Sequence, residues 1–219
     1  RWVTQMSIHA AHDEAFLSRM ARAGCRGVLI GFESLAEKAL RSLNKPFNTM
    51  AGGYGAALGN LRRAGLRVYG TFVFGHDHDT ADSFDESVDF AIAHGFYIAA
   101  FNHLTPFPGT PLYADLKAQG RLRYESWWLD PAYRYNDVPF QPKNLTPQEV
   151  TARCLAARRR FYGWASIARR GIARPNWTDL FMAGHFLPIN VLHRGDVGRR
   201  NGYPLGDEQD SRDLLEAVN

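Results

Sequence analysis

The chain has only two cysteines in 219 residues, Cys25 and Cys154, far apart in the sequence. That excludes a disulfide scaffold, and neither cysteine has a partner at metal-ligand spacing. No stretch is apolar for the roughly 18 residues that a membrane span requires. The best run, Leu180 to Leu192, is short and contains His185, Pro188 and Asn190. No basic-then-apolar leader precedes the first apolar segment, and Arg1 rather than methionine opens the chain. The hydrophobic share of 45% excludes disorder of the whole. A soluble, cytoplasmic protein with one large core, or one domain and an appendage, is expected.

What is present is a repeated junction. Three times a helix-like stretch closes on a small residue and glycine and runs into an apolar strand: AGCRGVLIGFES at Ala23, AGLRVYGTFVFGHDHDT at Ala64 and HGFYIAAFNHLTPFPGT at His94. Each strand ends in a loop dense in polar, glycine or proline residues. Strands buried on both faces read as unbroken apolar runs, and in parallel α/β folds ligands gather at the strands' carboxyl ends. The fold class is therefore α/β, with a parallel sheet or barrel, and the chemistry is sought at Glu33, at His76 to Thr80 and at Asn102 to Thr110.

The patterning predicts strands over Trp2 to Ile8, Gly27 to Ile30, Leu66 to Phe74 and Phe96 to Asn102. Helices are expected over Glu14 to Ala23 with Asp13 as cap, Leu35 to Leu43, Met50 to Ala64, Thr80 or Asp82 to Gly95, and Pro111 to Gln119. Thr146, Pro147 and Glu149 form a helix start, and that helix is expected to reach Arg170. An apolar helix around Trp177 to Leu192 and a charged tail complete the chain. Four parallel strands cannot close a barrel, and an unpaired Trp2 to Ile8 edge is an aggregation hazard, so further strands N-terminal to this chain are expected.

Several residues at the strand ends could carry chemistry. Glu33, in Gly31-Phe32-Glu33-Ser34, either accepts hydrogen bonds from a ribose diol or an amino group, or with Ser34 simply caps the next helix. The loop from Gly70 to Thr80 has glycines where a flat ligand could approach the backbone. Its His-Asp-His-Asp string also resembles a metal-ligand set, with His103 as a further partner; Asp79-Thr80 is equally an ordinary helix cap. Thr105 to Pro111 is a stiff turn in which Phe107 before Pro108 suits a cis bond. Trp127, Trp128, Tyr133 and Tyr135 either stack on a substrate or pack as a core or lid. Residues 146–200 carry 10 basic and 3 acidic groups, against 15 and 14 in residues 1–145. That imbalance is either a solvated helix face or a surface for an anionic partner.

The strings QMSI, AGCRGVLIGFES, GTFVFGHDHDT and TPFPGTPLY, in this order and at these intervals, resemble the second half of a radical S-adenosylmethionine enzyme. The likeness runs from Trp2 to about Tyr162, and is nearest to the group that often carries an N-terminal cobalamin-binding domain. The resemblance implies the last four strands of a (β/α)6 barrel over residues 1–122, then an aromatic linker and helical extension over 123–219. In such barrels a [4Fe-4S] cluster held by three cysteines binds and reductively cleaves S-adenosylmethionine. Carried onto this chain, the cofactor-binding residues would be Gln5, Glu33, Ser34, Gly70, Phe72, Gly75, Asn102, His103 and Pro106.

The chain departs from that pattern in lacking the Cys-x3-Cys-x2-Cys loop and the glycine-rich motif after the family's second strand. Cys25 and Cys154 cannot replace three thiolates from one loop, so no metal ligand is assigned here, and by itself the chain is expected not to generate a radical. The leading expectation is part of a radical enzyme, possible methylation included, acting on a small or lipid-like substrate, with the cluster and any cobalamin held elsewhere. Two other readings stand beside it. One is a basic RNA-binding module on the helix Arg153 to Arg170, and the other a metal-dependent hydrolase using His76, His78, Asp79 and His103.

Overall fold

Four strands form one parallel sheet in sequence order: β1 (Trp2–Gln5), β2 (Cys25–Glu33), β3 (Arg67–Phe74) and β4 (Ile98–His103). They belong to a computed structural model that describes residues 1–33, 35 and 53–205. Helices α1 (Glu14–Arg22), α2 (Gly53–Arg63) and α3 (Ala81–Ala93) precede β2, β3 and β4 in turn, and α4 (Pro111–Ala118) follows β4. The expected succession of α/β units is therefore present. The helix expected over Leu35 to Leu43 falls outside the described residues, apart from Leu35. β1 is shorter than expected because the chain turns after Gln5 into a 3-10 helix, Ile8–His12, capped by the Ser7 hydroxyl.

The joints work by local chemistry. Asp13 starts α1 by accepting the Phe16 N–H at 2.8 Å, and Leu17 and Met20 turn to the core. Gly24, at φ 98°, ends the helix in a left-handed conformation that other residues rarely adopt and feeds β2 directly.

Beyond the sheet, Thr146 and Glu149 form the expected capping box, and α5 runs over Pro147–Phe161. It does not continue to Arg170. Gly163 is extended, at φ −69° and ψ 150°, and becomes the cap of a new helix, α6 (Trp164–Gly171). The apolar segment that follows also divides, into α7 (Arg174–Trp177) and α8 (Leu180–Asp196), because Asp179 caps α8 through the Met182 N–H.

Arg170 binds these pieces to the sheet. Its fully buried guanidinium donates to the carbonyls of Phe96, Tyr97 and Phe161, to Asn190 Oδ1 and to Ser166 Oγ. Burial pushes its pKa down to about 10, which still leaves it charged at neutral pH among neutral oxygens. No helix among the described residues is long and apolar enough to cross a membrane.

Candidate functional site

Strand alternation sorts the predicted site residues onto two faces. Val28, Ile30, Phe32, Val68, Phe72, Phe74 and Phe101 are buried in the main core, with Leu17, Leu61 and Val88 of the helices. The register places Gln5 beside Leu29, Tyr69 and Ile98, then Gly31 beside Thr71 and Ala100, and Val73 beside Asn102. These residues occupy the other face and are half-buried or exposed. Gln5, Glu33 and Asn102 thus share one face, open among the described residues.

Gly70 and Phe72 do not share it, and the expectation for these two changes. A side chain on Gly70 would meet the Phe96 ring at 2.3 Å, and Phe72 is fully buried between Phe32 and Phe101 at ring distances of 5.5 and 5.3 Å. Gly70 is small to admit Phe96 into the core, not to admit a ligand. Thr71, which the sequence did not single out, takes the open-face position between them; the period of two running through the apolar string Val68 to Phe74 is the signal that would have found it.

Glu33 ends β2 in an unusual way. The register to β3 slips between Gly31 and Glu33, and Glu33 sits at φ 59°, a region costly for a residue with a side chain. Its Oε1 lies 2.9 Å from where a Cβ on Gly31 would stand, and Thr71 Oγ1 lies 3.7 Å from the same point. The missing side chain of Gly31 is the space the carboxylate uses. Ser34, predicted beside it, lies outside the described residues.

The loops after β3 and β4 form a rim that the aromatic segment holds down. Asp79, almost fully buried, accepts the N–H groups of Gly75 and His76 at 2.8 and 2.9 Å. Burial pushes its carboxyl up. Asp77 receives Arg121 at 2.8 Å and Lys143 at 2.7 Å. Burial raises the Asp77 carboxyl, but those two hydrogen bonds outweigh it and hold the group below the usual range. Trp127 donates to the Pro106 carbonyl at 2.9 Å, and Phe140 packs against Gly75. Gly75 and Pro106 are therefore buried rim supports. The Phe107–Pro108 bond is trans, with no cis peptide among the described residues.

At the carboxyl end of β4, Arg158 of α5 reaches around the sheet's edge. Its Nε donates to the Phe101 carbonyl at 2.9 Å, Nη2 to Asn102 Oδ1 at 3.0 Å and Nη1 to Asn136 Oδ1 at 3.3 Å. Asn136 holds a left-handed φ of 74° and accepts Thr151 through its carbonyl. His103 is adjacent, and burial, with the Arg158 charge adding to it, keeps its imidazole below its ordinary pKa. Arg158 was not separable by sequence from the other arginines of its helix. The available signal is its spacing, four residues from buried Cys154 and four from Tyr162.

The arrangement bears on the other sequence readings. Among the described residues no three His, Cys, Asp or Glu side chains gather as metal ligands, so His76, His78, Asp79 and His103 do not assemble a hydrolase centre. The basic helix is not a free arginine face either: Arg158 is tied to β4, Arg160 pairs with Asp85 and Asp89, and Arg170 is buried. Two cavities of about 510 and 550 Å³ lie away from the open face, one lined by Arg62, Arg63 and Arg174, the other by Arg159, Tyr162 and Trp164.

No family model matches the chain. Among curated proteins it is 32% identical over 178 residues, 81% of its length, to the bacteriochlorophyllide d C-12(1)-methyltransferase of Chlorobaculum tepidum. By sequence the chain is a relative of that methyltransferase. The bacteriochlorophyllide d C-8(2)-methyltransferase of the same organism is 28% identical over 78% of the chain. The anaerobic magnesium-protoporphyrin IX monomethyl ester cyclase of Cereibacter sphaeroides is 28% identical over 68% of it. The chain spans 38%, 37% and 23% of the lengths of these three relatives. A solved radical S-adenosylmethionine methyltransferase from Kitasatospora setae, with cobalamin and a [4Fe-4S] cluster bound, covers 88% of this chain and 44% of its own at 15% identity and a TM-score of 0.47; that likeness is too loose to bear on fold or function.

An iron–sulfur cluster does not fit the cysteines present. Cys25 and Cys154 are both buried; burial raises the Cys25 thiol and pushes Cys154 up to about 12, the reverse of what a thiolate ligand needs. S-adenosylmethionine fits better. A carboxylate at Glu33, over the room left by Gly31, with the hydroxyl of Thr71 and the amides of Gln5 and Asn102, offers acceptors and donors for a ribose diol and an amino-acid end.

Proposed function

We propose that this chain supplies one wall of a radical S-adenosylmethionine methyltransferase that acts on a tetrapyrrole. The observation that carries the reading is the similarity to two methyltransferases of bacteriochlorophyllides, extending over about four-fifths of the chain. The tetrapyrrole cyclase among the relatives supports the same substrate class. In this reading the sheet is the carboxyl-terminal part of a partial barrel, and its open face is the interior wall.

S-adenosylmethionine would supply the methyl group and, with an iron–sulfur cluster, the radical; the cluster's ligands, and any site for cobalamin, are not assigned to this chain. Glu33 and Thr71 hold the ribose and amino end, Asn102 and Gln5 bound the wall on either side, and the rim of Pro106, Trp127 and Phe107 keeps water from one edge. The flat face of a tetrapyrrole suits a sheet wall whose central positions, Gly31 and Ala100, are small.

The test is equilibrium binding to the chain itself. Titration with pheophorbide a, a chlorin with one free carboxylate, is expected to quench its fluorescence saturably, and Thr71→Trp, which fills the wall, to weaken binding at least tenfold. No saturable quenching by the wild-type chain would remove the tetrapyrrole from the reading. Unchanged binding by Thr71→Trp would remove the open face as its site.

A further inference from the structure

We infer that Arg158 binds a ligand carboxylate at the mouth of the open face. The inference rests on the methyltransferase reading and deepens it, by naming the group on the ligand and the residue that receives it.

Arg158 is half-buried, where an arginine ordinarily meets a carboxylate. No acidic group among the described residues pairs with it; Asp137, the nearest acid to its partner Asn136 in sequence, does not. Its three hydrogen-bond partners, Phe101 O, Asn102 Oδ1 and Asn136 Oδ1, are all neutral. They fix the plane of the guanidinium without cancelling its charge. A guanidinium has five N–H groups. Nε uses its one on Phe101, and Nη1 and Nη2 each use one on an asparagine, so each terminal nitrogen retains one N–H.

Two donors on a fixed planar cation, with no anion of its own, suit a carboxylate, which arginine recognises through paired hydrogen bonds. The position is also right. Asn102 is exposed at the carboxyl end of β4, where ligands of parallel sheets collect, and its side-chain oxygen orients Arg158 from that end. The asparagine on the other side, Asn136, is held in a left-handed conformation that brings the aromatic segment to the same guanidinium.

A carboxylate at this mouth can come from two sources, a side chain of the tetrapyrrole or the amino-acid end of S-adenosylmethionine. Two probe pairs tell them apart: pheophorbide a against its methyl ester, and S-adenosylmethionine against its decarboxylated analogue. The wild-type chain is expected to bind the carboxylate-bearing probe of one pair about tenfold more tightly than its carboxylate-free partner, equivalent to about 1.4 kcal/mol. Arg158→Gln should bring that ratio close to one, chiefly by weakening the carboxylate-bearing probe, and Arg158→Lys should restore part of it.

Tyr162→Phe controls for structure, since it breaks a neighbouring contact to β4 and leaves the guanidinium in place; its ratio is expected to stay at the wild-type value. A wild-type chain that distinguishes neither acid, or an Arg158→Gln chain that still distinguishes one, overturns the inference. If neither chlorin binds at all, the tetrapyrrole reading fails, and the second pair alone decides for or against Arg158.

Discussion

At the scale of single residues, two positions on opposite faces of the sheet separate ligand chemistry from packing. Glu33 holds φ 59° with its carboxylate over Gly31, and in the proposed reading that strain presents an acid to the ligand. Glu33→Gly should relieve that strain and raise stability to urea by up to about 1 kcal/mol, while Glu33→Gln leaves stability nearly unchanged. Both should weaken S-adenosylmethionine binding. A Glu33→Gly chain less stable than wild type would show that the carboxylate is there for the fold. Gly70 predicts the reverse. A Cβ there would stand 2.3 and 2.6 Å from atoms of the Phe96 ring, so Gly70→Ala should cost about 1–3 kcal/mol by overpacking, measured by urea unfolding, and Phe96→Leu in the same chain should recover part of it. If Gly70→Ala is neutral in stability but loses ligand, Gly70 belongs to the site after all.

At the scale of elements, α5 completes the sheet. β4 is an edge strand, and an open edge invites pairing with another chain. Tyr162, just past the end of α5, closes it: the Ala99 N–H donates to its hydroxyl at 3.3 Å and the hydroxyl donates to the Ala99 carbonyl at 2.8 Å. Arg158, one helical turn earlier, does the same for Phe101. Tyr162→Phe leaves the Ala99 groups unpaired in a buried setting and should cost about 1–3 kcal/mol, with faster hydrogen exchange at the Ala99 amide; unchanged exchange would show that the edge is protected by packing alone. The elements were legible where their signals are local. Asp13, the Thr146-Pro147-Glu149 box and the glycines at the joints mark their helices through contacts within a few residues. The break at Gly163 was not legible, because a glycine inside an arginine-rich helical pattern is compatible with continuation until Arg170 is seen to turn into the core. Faces were harder still: Val68 to Phe74 reads as one apolar string, and only pairing with β2 and β4 shows that Gly70 and Phe72 look one way and Thr71 and Val73 the other.

At the scale of the whole molecule, one side of the sheet is a filled core and the other, among the described residues, is half-buried or exposed; burial in the closed part also sets how the protein responds to acid. His94 at the end of α3, His103 at the rim and His193 on α8 are far apart in the chain, and burial holds each imidazole below its ordinary value of 6.5. A group whose folded pKa is depressed contributes stability that is present above its unfolded pKa and is lost as pH falls through the folded value. Here the unfolded chain binds protons near pH 6.5 that the folded chain refuses, so stability must fall on acidification below that point. Asp79 acts in the opposite sense. Its carboxyl is raised by burial, so its contribution is present at acid pH and lost as pH rises through its folded value. Urea midpoints taken at constant ionic strength are expected to drop between about pH 7.5 and about pH 5.5. Replacing His193, which stacks on Tyr162 at a ring distance of 5.1 Å, by glutamine should flatten part of that slope while leaving ligand binding at the open face unaltered. A midpoint independent of pH across this window would mean that the three imidazoles reach water in the folded protein, and that the helices around the sheet are more loosely closed than their packing implies.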